Sequence, residues 1–410
     1  MRYKNMTTNL KEITGCEVCS ASSLEPVLNL GLHPMCDDLV QIGEERICQE
    51  YPIEILYCAV CKTAHQRFQI PKEDLFPQTY HYRSRNTEDV LRGMQNLVTT
   101  CVQNLGDLAD KKVLDIGCND GSLLGFFRQQ GATTLGIEPT GAYADAKAAG
   151  HIVTHDYLTE KSARLFVDKH GCPDLITFTN VFAHIEDLAQ ILRAIRILRH
   201  DKTCVVIENH YLGAVLKRKQ FDTFYHEHPR TYSYGSFMKI AETMGMQIDL
   251  VEFPSRYGGN IRVILKPQVA GPVVHEKSEE IASIEDCFLK EFHELAMQIK
   301  LWQKIKKAEI VQAVNLYGPL VAKAFPGRAA IPLKMLNLDE TMICAAYEKP
   351  QSGKIGHWIP GTRIPIVSDE TLLVDQPVGS PILNLAWHIQ AEIKSYMDKQ
   401  GYQGEFINII

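Results

Sequence analysis

The residues best suited to acid–base chemistry stand together in one short run, FDTFYHEHP, in the middle of the chain. Within it, Tyr225, His226, Glu227 and His228 occupy four consecutive positions. An imidazole is a base with a pKa near neutrality, a carboxylate can orient it, and a phenol can donate or accept a proton. The alternatives are a surface loop and a second metal site, but histidines separated by one residue suit a metal less well than helical pairs four apart. The run therefore predicts a catalytic group.

A second group surrounds a glycine turn in VLDIGCNDGSLL, where an apolar strand pattern gives way to helical spacing. Gly117 and Gly121 allow a sharp bend and a close ligand approach, while Asp115, Cys118 and Asp120 stand beside them. A phosphate cradle would offer a lysine or bare amides, whereas acids suit a cationic, amino-acid-like ligand such as S-adenosylmethionine. Dinucleotide binding is the alternative, but the pattern GxGxxG is absent.

Further polar residues follow the next strand patterns. Glu138 ends TTLGIE about twenty residues on, where a doubly wound fold offers a carboxylate to ribose hydroxyls. Asp156 lies in HDYLT, ahead of the strand pattern DLITFTN, and Asn180 and His184 come directly after that pattern. Ligands of doubly wound folds bind outside the carboxyl ends of the strands. We therefore expect all four residues at a cofactor and substrate site, in preference to a plain scaffold.

Four cysteines form two CxxC pairs, Cys16 with Cys19 and Cys58 with Cys61. Two such pairs can surround one zinc ion in a closed tetrahedral site, which is structural because no position is left open. A redox-active CxxC is the alternative, but the pairs lack a βαβ context. Rival ligands lie nearby in the sequence: Cys36, Cys48 and His65.

The composition is that of a globular protein of two or three domains. The 410 residues are 45% hydrophobic and 22% charged, with a formal net charge of −6, which gives no general attraction to nucleic acid. Neither a signal peptide nor a membrane span is evident. We expect a cytoplasmic chain whose cysteines are thiols or metal ligands.

The elements that must position these residues predict an α/β fold. Apolar strands in KVLDIG, TLGIE, DLITFTN, CVVIEN and IRVILK alternate with helices, as in a parallel sheet covered on both faces. An amphipathic helix, NTEDVLRGMQNLVTTCVQNLGDL, precedes them, and a long charged helix spans about 276–310. Apolar runs at VQAVNLYG, ETMICAAYE and EFINII, with a helix over about 383–400, predict a second, smaller α/β unit. The predicted domains are 1–85 for zinc, 86–266 for the cofactor and 267–410 for the substrate.

The motifs run in one order through nearly the whole chain: two CxxC pairs, a Y-x-Y-x-S stretch (Tyr80, Tyr82, Ser84), LDIGCNDG, NVFAHI, FDTFYHEH, a GG-x-x-R segment (Gly258, Gly259, Arg262) and PGTRIPI. In this order they resemble the three-domain sugar C-methyltransferases. The resemblance implies a zinc-binding N-terminal lobe, a Rossmann-like S-adenosylmethionine domain and a smaller Rossmann-like C-terminal domain. It implies methylation at C-3 of a nucleotide-linked 4-keto-deoxy sugar, with neither nucleic acid nor membrane as partner. We expect a monomer.

The resemblance also implies roles for single residues. Tyr225, Glu227 and His228 would be catalytic, with Asn180 and His184 lining the same cavity. His228 would remove the C-3 proton, Tyr225 or His184 would hydrogen-bond the enolate oxygen, and Glu227 would orient a histidine. The residues implied to contact substrate are Tyr80, Tyr82, Arg262 and Lys323. O- or N-methylation of another small acceptor, and a non-catalytic scaffold, are the rival functions.

Departures from the family cluster in the segments expected to face the substrate. NLYGPLVAKAF replaces the usual glycine-rich turn, so that Gly318 and Lys323 have altered spacing and Pro319 removes an amide donor. Asn260 stands where a serine is usual, and His388 stands where an asparagine is usual. These changes predict a sugar or carrier different from the thymidine-linked substrates familiar in that family.

Overall fold

The computed structural model describes residues 10–75, 83–268, 278–377 and 379–410. Two units are distinguished. Unit 1 comprises Met1–Glu25, Leu56–Val215 and Glu227–Leu289, and unit 2 comprises Pro26–Ile55, Leu216–His226 and Lys290–Ile410. The division into zinc, cofactor and substrate domains stays a prediction.

The strands of the described residues are β1 (Lys11–Glu12), β2 (Glu25–Pro34), β3 (Val40–Gln41), β4 (Glu50–Cys58), β5 (Thr63–Gln66), β6 (Phe68–Gln69), β7 (Lys112–Ile116), β8 (Thr133–Ile137), β9 (Ile152–Thr154), β10 (Leu175–Thr179), β11 (Cys204–His210), β12 (Arg230–Thr231), β13 (Met246–Glu252), β14 (Asn260–Pro267), β15 (Leu320–Lys323), β16 (Ile343–Glu348), β17 (His357–Trp358), β18 (Ile366–Ser368), β19 (Ile382–Asn384) and β20 (Phe406–Asn408).

The α-helices of the same residues are α1 (Lys72–Leu75), α2 (Glu88–Leu105), α3 (Ser122–Gln129), α4 (Tyr143–Ala148), α5 (Glu160–His170), α6 (Leu188–Leu198), α7 (Leu212–Lys217), α8 (Tyr234–Met244), α9 (Ser278–Glu285), α10 (Phe288–Tyr317), α11 (Ala330–Met335), α12 (Leu372–Asp375) and α13 (Gln390–Lys399).

Unit 1 is built on a seven-stranded sheet with the order β13-β14-β11-β10-β7-β8-β9. The five strands β7 to β11 are parallel, so their carboxyl ends meet at one edge of the sheet. These strands are apolar at successive positions, because a strand in a sheet covered on both faces buries the side chains that point to either face. This edge receives the glycine turn after β7 and the polar residues after β10.

The strand predicted in IRVILK is present as β14, but it is not parallel to its neighbours. It pairs antiparallel with β11 and with β13. The reason is the short connection between Glu252 and Asn260, which can join antiparallel strands, whereas parallel strands need a longer crossover. Neither β13 nor the three-residue β9 was predicted.

Helix α2, predicted from its apolar spacing, packs on one face of this sheet. Its residues Val90, Met94 and Leu97 share a buried cluster with Val206 of β11 and Ile264 of β14. Fully burying such side chains stabilises a fold by about 1.5–3 kcal/mol each. The helix therefore anchors the segment that precedes the cofactor turn.

Unit 2 contains a five-stranded parallel sheet with the order β18-β16-β15-β19-β20. The predicted second α/β unit is therefore present. Two boundaries were wrong: VQAVNLY is the end of helix α10, and Ile382–Asn384 is strand β19, with helix α13 beginning only at Gln390. Val311 and Val314 stand at helical spacing, and Val314 packs on the core of unit 2 as a helical residue.

The single charged helix predicted over about 276–310 is two helices, α9 and α10. They are separated at Asp286 and Cys287. Phe288 and Phe292 of α10 are fully buried, so the first turns of this helix are core rather than a solvated connector.

Candidate active site

The glycine turn between β7 and α3 has the backbone that its residues predict. Gly117 has φ +68, and a Cβ there would lie 2.6 Å from a methyl of Val181. Gly121 has φ +80, and a Cβ there would lie 2.7 Å from the ring of His151 and 3.1 Å from Ala146. Both positions therefore require glycine for conformation and for space.

The acids around this turn are buried or half-buried and have neutral partners. Asp115 accepts a hydrogen bond from Thr177 Oγ1 at 2.7 Å, and burial raises the pKa of its carboxyl to about 7. Glu138 accepts from the backbone N–H groups of Asn119 and Thr140, each at 2.9 Å. Carboxylates without a cationic partner suit a cationic ligand and ribose hydroxyls, so this turn fits S-adenosylmethionine.

Asp120 and Cys118 support the turn from within. Asp120 accepts from Ser122 Oγ at 2.6 Å and from the N–H of Arg85 at 2.9 Å. Cys118 is buried with Leu124 and Ala146 in a small apolar cluster. Asp156, also predicted at this site, is exposed after β9 and accepts from the N–H of Tyr157 at 2.7 Å.

One part of this site was not foreseen: the segment 83–86 is fixed to the glycine turn. Ser84 N–H donates to Asn119 Oδ1 at 3.0 Å, and Arg83 Nε donates to Asp145 at 2.7 Å. Ser84 belongs to the Y-x-Y-x-S stretch, and this motif was the signal in the sequence that could have pointed to the contact. Tyr80 and Tyr82, the substrate residues predicted from that stretch, lie outside the described residues.

Three histidines gather at the carboxyl ends of β10 and β11. The ring of His228 lies 4.7 Å from that of His184 and 5.3 Å from that of His210, measured between centroids. His184 follows β10 in a short 3-10 turn, and His210 ends β11. His210 was missed by the sequence analysis, although its place at a strand end was a usable signal.

The protonation of His184 follows from its surroundings. Its Nδ1 lies 2.8 Å from the backbone carbonyl of Glu227 and 3.9 Å from the Glu227 carboxylate. Burial lowers the pKa of His184 to about 4, so the ring is neutral at pH 7. The contact between Nδ1 and the Glu227 carbonyl ties the turn after β10 to the Glu227–His228 segment.

Asn180 and Arg262 belong to one buried polar network. The backbone of Asn180 has φ +54. Asn260 Nδ2 donates to Asn180 Oδ1 at 3.2 Å and to the Glu208 carboxylate at 3.0 Å. Arg262 donates to Glu208 at 2.7 Å and to Glu252 at 2.8 Å. Arg262 also lines a cavity of about 400 Å³ beside α2.

In unit 2, Lys323 at the end of β15 is buried. Its Nζ lies 2.6 Å from the carboxylate of Asp369 and 5.0 Å from the ring centre of Tyr396. The charge of Lys323 is therefore already balanced inside this unit.

Tyr225 and His226 of the FDTFYHEHP run also lie in unit 2. Tyr225 is half-buried. Burial lowers the pKa of His226 to about 3, and its Nε2 lies 3.2 Å from the Tyr51 carbonyl.

The two CxxC pairs meet in unit 1. Cys16 Sγ lies 3.4 Å from Cys61 Sγ, Cys19 Sγ lies 3.6 Å from Cys58 Sγ, and all four sulfurs lie within 4.8 Å of one another. Bonds of about 2.3 Å from zinc to sulfur in a tetrahedron place the sulfurs roughly 3.8 Å apart, so the four thiolates fit zinc.

The local backbone explains how the pairs form this cluster. The residue after each pair, Ser20 or Lys62, has a positive φ, +62 or +59, which turns the chain back over the sulfurs. The rival ligands Cys36, Cys48 and His65 are not part of this cluster; Cys48 donates to the Asp38 carbonyl, and His65 Nδ1 lies 3.9 Å from Glu17.

Comparison with known proteins identifies the family. Three family models match consecutive parts of the chain: a zinc binding domain at residues 16–76, a methyltransferase domain at 86–251 and a C-methyltransferase C-terminal domain at 255–410. The C-methyltransferase NovU of Streptomyces niveus is 27% identical over 96% of this chain and 95% of its own length. The chain belongs to the S-adenosylmethionine-dependent C-methyltransferases.

Two further proteins are similar to smaller shares of this C-methyltransferase. A ubiquinone biosynthesis O-methyltransferase of Histophilus somni is 31% identical over 23% of this chain and 43% of its own length. The structure of magnesium protoporphyrin IX methyltransferase from Synechocystis PCC 6803 with bound SAH matches 44% of this chain and 84% of its own, at 18% identity and a TM-score of 0.36. Of the helices in the described ranges, none has the length and apolar character to cross a membrane.

The predicted cofactors and fold class are confirmed. The enzyme is an α/β methyltransferase that uses S-adenosylmethionine, with a zinc-binding N-terminal region and a C-terminal methyltransferase domain. The roles of single residues stay predictions.

Proposed function

We propose that this enzyme methylates C-3 of a nucleotide-linked 4-keto-deoxy sugar through an enolate. The observation that carries the proposal is the histidine group, in which His228 lies against the neutral His184 at the carboxyl edge of the cofactor sheet. A carbon acid needs a base next to the methyl donor, and this is the edge where both would meet. The length of the match to NovU supports the same class of reaction.

His228 is the proposed base. A ketone at C-4 acidifies the C-3 hydrogen, and the imidazole takes that proton while the electrons of the C–H bond form the enolate. Holding base and carbon acid in one geometry removes much of the entropic barrier. Glu227 is the proposed orienting residue, and its backbone carbonyl is itself fixed by His184 at 2.8 Å.

Tyr225 is the proposed donor to the enolate oxygen. His184 was an alternative donor, but its Nδ1 lies against the Glu227 carbonyl at 2.8 Å. Preorganised donors at a developing oxyanion make a large contribution to rate. In this proposal Tyr225 donates, and His184 supports the segment that carries the base.

S-adenosylmethionine supplies an electrophilic methyl group when it is bound. Gly117 and Gly121 form the positive-φ turn at which it is proposed to bind, and Asp115 and Glu138 provide negative charge and hydroxyl acceptors. The remaining residues proposed to hold it are Cys118, Asp120, Asp156 and Asn180.

Tyr80, Tyr82, Arg262 and Lys323 are proposed to contact the nucleotide sugar. Because Lys323 is paired with Asp369, a diphosphate would compete with that carboxylate for its charge. Pro319, Asn260 and His388 depart from the resembled family in the same substrate segments. The proposal is therefore a nucleotide sugar with a sugar or carrier other than the thymidine-linked ones.

The test is incubation of the enzyme with S-adenosylmethionine and a panel of thymidine- and guanosine-diphospho-4-keto-6-deoxy sugars. Mass spectrometry then looks for the gain of one methyl group. In deuterium oxide without methyl donor, the enzyme is expected to exchange hydrogen at the carbon next to the ketone. Product without exchange would identify an O- or N-methyltransferase instead.

Two variants test the role of the base. His228→Asn is expected to abolish both exchange and methylation while S-adenosylhomocysteine still binds. The matched control is His170→Asn on α5, which lies outside the proposed site and is expected to keep both activities. Retained turnover in His228→Asn would remove this residue from the role of base.

A further inference from the structure

The side chain of Asn180 is held at only one of its two polar atoms. Its Oδ1 lies 3.2 Å from Asn260 Nδ2. Its Nδ2 is buried and has no hydrogen-bond partner among the described residues. An unpaired buried N–H group costs about 1–3 kcal/mol, so its retention calls for a reason.

A fully buried carboxylate determines which way the neighbouring amide points. Glu208 Oε2 accepts from Arg262 Nε at 2.7 Å, and Glu208 Oε1 lies 3.3 Å from Arg256 Nη1. A carboxylate paired with two guanidinium groups accepts hydrogen bonds and donates none. The atom of Asn260 that lies 3.0 Å from Glu208 is therefore its donor, Nδ2.

The direction of the second amide follows from the first. Because the atom that Asn260 presents to Asn180 is a donor, the atom of Asn180 that faces it must be the acceptor Oδ1. Asn180 Nδ2 then points away from the network. Glu208 thus sets the polarity of Asn180 through one intermediate amide.

The network ends beside the catalytic histidines. Asn260 pairs with His210 in the β11–β14 ladder, and the His210 ring lies 5.3 Å from that of His228. The backbone N–H of Asn180 donates to the Glu208 carbonyl at 2.7 Å, which fixes the residue at the end of β10. A hydrogen-bond donor is therefore held at the edge where the acceptor substrate is proposed to bind.

We propose that Asn260 is a positioning residue for methyl transfer: it turns the Asn180 amide so that Nδ2–H donates to the acceptor oxygen that gains negative charge. This inference rests on the proposed function, since the enolate oxygen is the group that would receive the bond. In this proposal Asn260 acts through Asn180 and not on the substrate.

A double-mutant cycle tests this coupling with the panel acceptor that gives product. Asn180→Ala is expected to lower kcat by about 100-fold, as for the loss of one oxyanion donor. Asn260→Ala is expected to lower kcat by about 10- to 100-fold, because the donor is misplaced rather than removed. In the Asn180→Ala background, Asn260→Ala is expected to have no further effect on kcat.

The control lies at the far end of the same network. Thr100 accepts from Arg262 at 2.8 Å, so Thr100→Val disturbs the buried ion pairs without touching either asparagine. It is expected to keep both kcat and its affinity for S-adenosylhomocysteine within about twofold. An equal loss of kcat for Asn260→Ala in both backgrounds, or no loss in either, would overturn the proposal.

A second measurement does not depend on the acceptor. In enzyme labelled with ¹⁵N-asparagine, the side-chain NH₂ signals absent from Asn180→Ala identify Asn180. Asn260→Ala is expected to move these signals, and Thr100→Val is expected to leave them in place. Unmoved signals in Asn260→Ala overturn the positioning role, whereas a panel without product contradicts only the proposed substrate. If Asn260→Ala does not fold, Asn260→Ser, which can donate to Glu208 alone, takes its place.

Discussion

His184 Nδ1 lies 2.8 Å from the backbone carbonyl of Glu227, which joins the turn after β10 to the segment that carries His228. Burial lowers the pKa of His184 to about 4, so this ring is neutral at pH 7. His184 therefore supports this segment at neutral pH, and the proposed base is its neighbour His228.

Buried histidines make the stability of this enzyme depend on acid. Burial lowers the pKa of His226 to about 3, against about 6.5 in an unfolded chain. The unfolded state then binds more protons below pH 6.5, so the free energy of unfolding falls as the pH drops from about 6.5 toward the folded pKa. We expect His226 to account for a loss of about 2 kcal/mol between pH 7.5 and pH 5.

Urea unfolding of the wild type and of His226→Gln at both pH values measures this contribution. The variant is expected to lose about 2 kcal/mol less than the wild type on acidification. The control is His293→Gln, at an exposed position of α10, which should follow the wild type. Equal acid sensitivity in all three proteins would contradict the burial argument.

Zinc is expected to stabilise the fold rather than take part in the reaction. Cys58→Ser removes one of four thiolates from a closed site, so the protein should lose its metal and a large part of its thermal stability. Metal content by plasma mass spectrometry and the Tm are the two readouts. Cys287→Ser, at an exposed cysteine outside the cluster, should keep both. A variant Cys58→Ser that retains one zinc per chain would show that another residue completes the site.

Local patterns predicted much of this structure. Five of the seven strands of the cofactor sheet, the glycine turn and the two clustered CxxC pairs were evident, because strand periodicity, positive-φ glycines and CxxC spacing are properties of short segments. The helical end of α10 was misassigned because Val311 and Val314 suit a strand as well as a helix. Its true state depends on Val314 packing against the core of unit 2.

The network around Asn180 could not be predicted in the same way. Glu208 and Asn260 are 52 residues apart, and Arg262 and Thr100 are 162 apart. Such contacts depend on the antiparallel register of β11 and β14, which pairs Glu208 with Arg262 and His210 with Asn260. A sequence analysis that took β14 as parallel had no means of bringing these side chains together.

Gly117 in the turn and Gly125 in α3 offer a test of the cofactor site with an internal control. Gly117→Ala places a Cβ 2.6 Å from Val181 in a backbone of φ +68, so the turn must shift. We expect a cost of about 1–3 kcal/mol in stability and a loss of S-adenosylhomocysteine binding by at least about tenfold in calorimetry. Gly125→Ala, eight residues on in α3, meets no atom within 4 Å and should stabilise the helix by about 0.5–1 kcal/mol with binding unchanged.

Asp115 should make the affinity for a cationic cofactor depend on pH. Burial raises the pKa of its carboxyl to about 7, so the free enzyme gains the proton as the pH falls through neutrality. Below that pH the site loses a negative charge, and S-adenosylmethionine should bind more weakly at pH 6 than at pH 8. Asp115→Asn keeps the shape beside Thr177 but carries no charge at any pH, so its affinity should be low and flat over the same range. Calorimetric titrations with S-adenosylmethionine at both pH values test this prediction. If Asp115→Asn shows the same change of affinity with pH as the wild type, the group that titrates is not Asp115.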